Sequence, residues 1–489
     1  MKSSLHKQLG IVSLFLIAMR RCLEKVFDLT GNESSVRAEL LAGLAGFFAN
    51  IHLLIIVPSL MSRTGIPLET GLIAYCLSTV VATTLQSTIA NSPMFLGPGI
   101  GGAVFLARSF DDPNESVLCL CVASTALIIM GLFRVPRWLY NNMPTCVKCG
   151  VPPGIGLYLS FCGVSQAGLI RTTQSPVGVE IANLDESSLL IILGIVLMIV
   201  IFELNASCPL NLGWLSVILP VSGVCLGSWV LGLYSWPQGL IIDSFPLKLF
   251  VPTLHGVDFL KILQKSVRLW LIMFFDIGGL SQSCCELTGK SSEEQVSFIT
   301  NSAYTVCGCC SFVAALLGTG PVIVFGESCV CVFAGGKTGL TSCTAAVCTL
   351  IALTFAPIFV AVPGIAVSLP LIAVGWQLIH LLFLQLSSHD VVLEGNSDII
   401  PLYCTIAGMV FFDGIDIGIM CGLVMWGVLV TTKFVCKKFQ PCTAVPMVSV
   451  QPVLSFNLCA RVTQEGVPGL QHASLRSWRS DRDVSTVQM

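Results

Sequence analysis

The chain has 489 residues, of which 54% are hydrophobic and only 11% charged, with a net charge of −2 and a mean hydropathy of +0.86. Soluble domains carry about 25% charged residues, so this composition excludes an ordinary soluble protein and points to a polytopic membrane protein. The near-zero charge balance also excludes a nucleic-acid surface, and it leaves the basic residues to be read loop by loop.

In chain order, the first twenty residues hold a short apolar run, Leu9 to Met19, between Lys7 and the pair Arg20 and Arg21. Without a small-residue cleavage site it reads as an interfacial or packed helix rather than a secretory signal. A membrane span needs about 20 apolar residues, and fewer where a helix is broken. On that rule fourteen segments follow, at about 38–61, 68–90, 93–108, 117–133, 147–170, 188–204 and 211–233, then 268–285, 296–317, 321–334, 338–361, 366–386, 399–411 and 414–433. The pattern predicts an N-terminal segment 1–37, a seven-span repeat 38–233, a connecting loop 234–267, a second seven-span repeat 268–433 and a disordered tail 434–489.

Segments 3 and 10, the third member of each half, share one grammar. Segment 3 opens with Asn91, Ser92 and Pro93 and continues through Gly97, Pro98, Gly99, Gly101 and Gly102. Segment 10 is entered through Gly318, Gly320 and Pro321 and carries Gly326. Short hydrophobic segments broken by Gly and Pro at corresponding places in two halves mark an inverted-repeat transporter with its site between the broken helices. The fold expected is therefore all-α and polytopic, with about 14 segments in a 7+7 inverted repeat and helices 3 and 10 broken.

Fourteen spans put both ends on one side. If that side is the cytoplasm, it holds eighteen of the twenty-five Lys and Arg residues; the outer side keeps Arg63, Arg108, Arg171, Lys248, Lys261, Lys265 and Arg268. The positive-inside bias thus predicts cytoplasmic termini. It also puts the glycosylation triplet Asn114-Glu115-Ser116 outside. The 23 cysteines lie mostly in apolar spans and read as small packing residues, and Cys146 and Cys149 lack the second ligand pair that zinc needs. No cofactor is called for.

Glu327 stands out because it is a carboxylate inside an apolar segment. An ionisable group there costs roughly 2.5–3.5 kcal/mol on insertion scales, so by default it faces a cavity and has a use. Gly326 beside it allows close approach of a ligand to the backbone. Asp276, two residues before Gly278 and Gly279, is a second intramembrane carboxylate, in segment 8. Two such groups can take up a proton from one side and release it on the other, as a proton-coupled carrier requires. His52 reads as a packed or hydrogen-bonded helix residue, Asp413 and Asp416 as caps of the last span or residues at the interface, and Glu203 as a wet span end. Gly335-Gly336-Lys337-Thr338 lacks the full phosphate-loop pattern, so nucleotide hydrolysis is not expected and the chain does not read as an enzyme.

Val36-Arg37-Ala38-Glu39, Asn91-Ser92-Pro93, Gly97-Pro98-Gly99-Ile100-Gly101, Gly154-Ile155-Gly156, Phe275-Asp276, Gly318-Thr319, Glu327-Ser328 and Gly335 to Leu340 together resemble the AzgA-like purine permeases of the nucleobase–cation symporter (xanthine/uracil permease) group. The resemblance runs from about Leu23 to Lys433. It implies a core domain of segments 1–4 and 8–11, a gate domain of segments 5–7 and 12–14, and proton-coupled uptake of adenine, guanine or hypoxanthine. Carried over by position, it implies Glu327, Asp276 and Gly101 as substrate or proton residues. It also marks two departures, Ala103 where the family usually has Asn and Met273 where it has an aspartate; Asp276 lies three residues from Met273 on nearly the same helix face.

The leading expectation is a purine nucleobase:proton symporter of the plasma membrane, in contact with lipid and not with nucleic acid. Glycine-rich spans pack closely within a subunit or between two, so a homodimer fits the pattern. A second reading keeps the fold and changes the cargo to another small solute or an anion, against which Glu327 argues. A third, a non-transporting receptor or scaffold, rests on Ala103 and Met273.

Overall fold

The computed structural model describes residues 23–172, 179–182, 185–207, 215–237, 239–241, 247–253, 257–290, 292–387, 395–412 and 414–439. The apolar run at Leu9, Asp413 and the tail from Gln440 lie outside them. The first half contains α1 (Val36–Asn50), α2 (Leu53–Met61), α3 (Leu68–Ala90), β1 (Leu96–Pro98), α4 (Ile100–Ser109), α5 (Pro113–Leu132), α6 (Val135–Asn142), α7 (Thr145–Gln166), β2 (Ile170–Thr172), β3 (Val179–Ile181), α8 (Glu186–Ser207) and α9 (Leu215–Val230). The second half contains α10 (Phe259–Leu287), α11 (Glu293–Leu317), β4 (Val322–Val324), α12 (Ser328–Phe333), α13 (Gly339–Leu353), α14 (Ala356–Val360), α15 (Ser368–Ser387), α16 (Asn396–Phe411) and α17 (Ile415–Phe439). Among the described residues seven helices are long and apolar enough to cross a membrane, and shorter apolar helices lie at Ile100–Ser109, Val217–Val230, Gly339–Leu353, Ser368–His380 and Ser397–Phe411. The protein is a multi-pass, all-α membrane protein.

The two halves are built alike around their broken segments. Helix α3 ends at Asn91 and α11 at Gly318, both in left-handed backbone (φ 42° and 83°), which turns the chain back into the membrane. Each then runs extended and meets the other: β1 and β4 pair antiparallel, with Leu96 opposite Val324, Gly97 opposite Ile323 and Pro98 opposite Val322. Two further bonds extend the ribbon, Gly99 N–H to Pro321 O and Phe325 N–H to Phe95 O, both 2.9 Å.

A two-stranded ribbon has two outer edges, and inside a bilayer their N–H and C=O groups need partners from protein. One hydroxyl serves each edge. Thr83 Oγ1 on α3 donates to Leu96 O (2.7 Å) and accepts from Leu96 N–H (3.1 Å). Ser311 Oγ on α11 donates to Val322 O (3.2 Å) and accepts from Val322 N–H (2.8 Å). The helix before each broken segment thus satisfies the strand that follows it, as a repeated unit would.

Packing around the ribbon needs small residues. A Cβ on Gly97 would stand 2.5 Å from Thr79 Oγ1, and one on Gly102 would stand 2.1 Å from Pro321 Cγ. Elsewhere α7 and α15 approach so closely that a Cβ on Gly156 would lie 2.6 Å from Gly375 O. A separate apolar cluster joins α8, α9 and α15 through Ile191, Met198, Val221, Val224, Leu369 and Ala373.

At the opposite end of the core, Glu39 of α1 is completely buried. Its Oε1 accepts from Lys337 N–H (3.1 Å) and Ser34 Oγ (2.5 Å), and its Oε2 accepts from Thr338 N–H (3.2 Å) and Thr341 Oγ1 (2.5 Å). Lys337 and Thr338 therefore spend their N–H groups on the protein's own carboxylate at the start of α13, while the N–H groups of Gly335 and Gly336 donate to Val332 O and Cys331 O. Asn91 ties the same region together: Oδ1 accepts from Gly339 N–H, Nδ2 donates to Phe27 O, and the main-chain O accepts from Lys290 Nζ. Burial pulls the Lys290 ammonium below the usual lysine pKa.

One sequence expectation changes. Helix α10 begins at Phe259, so the connecting loop is helical from there rather than irregular to 267. Lys265 explains part of this, since its ammonium donates to Ser109 O and lies 4.0 Å over the Phe110 ring, anchoring the early turns. Asn114, at the start of α5, accepts from Thr253 N–H at 2.7 Å and donates to Thr253 O at 3.0 Å, which ties it to the loop before α10.

Replacing Glu39 with Ala leaves at least two buried backbone N–H groups without an acceptor, at about 1–3 kcal/mol each. The expected outcome is a stability loss of about 2–6 kcal/mol, with Glu39→Gln falling between Ala and wild type; thermal melting of the detergent-purified protein measures both.

Candidate functional site

Glu327 sits where the chain leaves β4 and enters α12. It is the residue immediately before that helix, and its side chain is 13% exposed. The sequence places the start of the helix near Phe325; the structure delays it to Ser328 because Phe325 is still held by the ribbon. Beside it, Gly326 borders open space: a Cβ there would meet only Leu280 Cδ2, at 3.7 Å.

Leu280 is one helical turn, about 6 Å, beyond Asp276 on α10. Asp276 faces the other broken segment. A Cβ on Gly101 would be 3.4 Å from Asp276 Oδ2, 3.6 Å from Ile415 Cδ1 and 3.7 Å from Ile272 Cγ2. Gly101 is in the first turn of α4, after the extended Gly99. The first-turn N–H groups of a helix have no intrahelical acceptor, so α4 presents donors next to Asp276. Glu327, Gly326, Asp276 and Gly101 thus surround the place where the two broken segments cross.

Ala103 and Met273 are both fully buried. Ala103 packs against the backbone of Gly320, where a Cβ would come within 3.3 Å, and its methyl seals the entry to β4. Met273 lies in the large apolar cluster, next to Phe274, which stacks on Trp270 with ring centroids 5.6 Å apart.

The structure adds a histidine. Helix α1 stops at Asn50 and α2 starts at Leu53, and in that break His52 turns Nε2 to within 3.7 Å of Glu327 Oε1. It is 5% exposed. The sequence reading treated it as a packed helix residue, and the signal that could have singled it out is a polar residue in mid-span beside Asn50. Tyr75 of α3 and Cys329 and Cys331 of α12 also lie within electrostatic reach of Glu327.

Asp416 was expected to cap the last span or to sit at the interface. It does lie in the first turn of α17, but it is 4% exposed and forms an ion pair with Arg268 of α10 at 3.4 Å. Arg268, Ile272 and Asp276 follow one another at four-residue spacing, so one face of α10 carries the ion pair to α17 and the carboxylate at the crossing.

The arrangement can bind a small planar solute. Carboxylate acceptors are supplied by Glu327 and Asp276, helix N–H donors by the start of α4, and apolar contacts beside Gly101 by Ile272 and Ile415. Among the described residues no group of three or more His, Cys, Asp or Glu could hold a metal ion.

A family profile described as "Permease family" matches residues 37–413. A guanine/hypoxanthine permease of Bacillus subtilis is 25% identical over 429 residues, covering 85% of this chain and 96% of that protein. An adenine permease of Escherichia coli is 24% identical, covering 86% of this chain and 94% of its own length. In fold, the transmembrane domain of the cyanobacterial bicarbonate transporter BicA superposes with a TM-score of 0.58 at 14% identity, covering 79% of this chain and 97% of that domain.

Two neighbouring glycines separate packing from function. A methyl at Gly102 collides with Pro321, whereas one at Gly101 enters the space before Asp276. The expected outcome is that Gly102→Ala lowers the melting temperature and that Gly101→Ala leaves it within about a degree of wild type; thermal melting of the two variants checks it.

Proposed function

The chain belongs to the Permease family, and from that premise we propose that it is a secondary active transporter that moves purine nucleobases (adenine, guanine or hypoxanthine) into the cell together with protons. The observation that carries the reading is Glu327 at the crossing of the two broken segments, with Asp276 and the first turn of α4 opposite. The names of the curated relatives, guanine/hypoxanthine permease and adenine permease, support the cargo.

A purine presents N–H donors, ring-nitrogen and carbonyl acceptors, and two flat apolar faces. Glu327 accepts from the N–H edge, the N–H groups at the start of α4 donate to the acceptors on the opposite edge, and Asp276 takes a remaining donor. Ile272 and Ile415 cover the faces. A buried carboxylate that binds cargo and exchanges a proton couples the two, because each state is stabilised by having both ligands or neither. His52 Nε2 lies 3.7 Å from Glu327 Oε1, beside that carboxylate.

Alternating access then requires the elements that carry the site, α2, α4, α10 and α12, to shift against the α17 face that bears Ile415. The Arg268–Asp416 pair joins α10 to α17 and is remade in each cycle. In this reading the protein resides in the plasma membrane with both termini in the cytoplasm. An anion as the main cargo is disfavoured by Glu327 at the crossing.

Uptake of radiolabelled adenine, guanine, hypoxanthine and uracil into a host lacking its own carriers tests this. Wild type is expected to give saturable purine uptake, faster at pH 5.5 than at 7.5. A charge-assisted bond is worth about 1.5–3 kcal/mol, so Glu327→Gln is expected to lower kcat/KM about 10- to 100-fold. Surface-expressed wild type that takes up no purine would overturn the proposal.

A further inference from the structure

Two kinds of contact hold the helices around the crossing. Helices α7, α15, α16 and α17 interlock through glycine, so that backbone lies against backbone. A Cβ on Gly418 of α17 would stand 2.6 Å from Thr405 O of α16, one on Gly150 of α7 would stand 3.2 Å from Leu402 O of α16, and α7 meets α15 in the same way at Gly156 and Gly375. Contacts this close resist sliding, so the four helices behave as one packed body. Helices α4 and α10 belong to another: Lys265 of α10 donates to Ser109 O at the end of α4, and Gly102 of α4 lies against Pro321.

Beside Gly101 the seam between the two bodies is made of side-chain tips. Ile415 Cδ1 would lie 3.6 Å from a Cβ on Gly101, an ordinary contact, and the next residue, Asp416, pairs with Arg268 Nε at 3.4 Å. Arg268 is half exposed and Asp416 is buried. Tight charge-assisted bonds measure about 2.7–2.9 Å, so this pair is loose, and one partner stands partly in water. Such a pair adds little fixed stability and is screened by salt, which suits a contact that opens better than a permanent brace. Lys265 and Arg268, three residues apart on α10, thus have opposite uses: the first ties α10 to α4, and the second reaches across the seam.

Arg268 lies eight residues before Asp276, about 12 Å along α10 toward the start of that helix. Beyond the opposite end of α10, Lys290 is tied to Asn91. The pair therefore closes the seam on the side of the crossing where α10 begins, which is the outer side in the orientation proposed above. We propose that Arg268 and Asp416 form a latch: joined, they shut the crossing from that side, and their separation admits water and cargo to Gly101 and Asp276. The inference rests on the transporter reading and names the contact that controls access to the same site.

Hydrogen exchange read by mass spectrometry on the detergent-purified protein tests it without any cargo. The N–H groups of Ile100, Gly101 and Gly102 open α4, have no intrahelical acceptor and are buried, so their exchange reports water reaching the crossing. Asp416→Asn is the main variant, because it leaves no unpaired buried charge. It is expected to speed exchange at residues 100–102 about threefold or more, while the bonded N–H groups of Leu96 and Val322 in the ribbon stay within about 1.5-fold of wild type. The double variant Arg268→Gln/Asp416→Asn should match Asp416→Asn within about 1.5-fold, because the two residues act through one bond, and Arg268→Lys should stay near wild type. Salt raised to about 1 M should speed the same amides in wild type, which keeps the test in force if a variant does not fold. Unchanged exchange at the start of α4 in Asp416→Asn and at high salt, or an increase shared equally by the ribbon, would overturn the latch. The expected exchange pattern in a protein that takes up no purine would uphold the latch and remove the nucleobase reading; purine uptake with unchanged exchange would remove the latch alone.

Discussion

The structure depends on one constraint: backbone that leaves a helix inside a bilayer must find all its hydrogen-bond partners within the protein. Two segments break the helical pattern at mid-membrane, and the chain answers by pairing them with each other. The inner ladder runs through β1–β4 and the Gly99–Pro321 and Phe325–Phe95 bonds at its ends, and on the outer edges the hydroxyls of Thr83 and Ser311 serve Leu96 and Val322. Leaving an edge group unpaired would cost several kcal/mol in such a medium. Satisfying the ribbon is thus what allows α4 and α12 to begin in the middle of the molecule, and a helix that begins there brings its free N–H groups to a buried place.

The site follows from that placement. Glu327 and Gly101 are where they are because each stands at the point where an extended stretch becomes helix. Asp276 reaches the same place from an unbroken helix, and His52 reaches it from the gap between α1 and α2. The ionisable groups all sit at irregularities or beside them, which is where a membrane protein has space and polar backbone to accompany a charge. Glu39 shows the contrasting use of a buried carboxylate, since four donors saturate it and nothing is left for a ligand.

Much of this was legible in the residue order. Gly and Pro clusters at corresponding positions marked the broken segments, and a lone glutamate after one of them pointed to the site proposed above, because both signals are local. What was missed is long-range. Glu39 finds its partners about 300 positions later in the chain, and Asp416 finds Arg268 nearly 150 positions earlier; no spacing rule reaches that far. His52 looked like an ordinary helix residue because the interruption at Ile51 carries neither Gly nor Pro. The early start of α10 was hidden by Lys261, Lys265 and Arg268, which read as a polar loop until Lys265 is seen on Ser109 and Phe110. Ala103 and Met273 are departures from the resembling family at positions that the structure buries completely, so the polar groups available to a ligand are those at Glu327, Asp276 and α4.

The central claim is that a nucleobase binds at the crossing of the two broken segments. A cryo-EM structure of the protein with hypoxanthine tests it most directly. The account predicts a planar ligand with one edge within hydrogen-bond distance of the Glu327 carboxylate and the other at the first turn of α4, near Gly101. A ligand found elsewhere in the fold, with Glu327 left untouched, would contradict it.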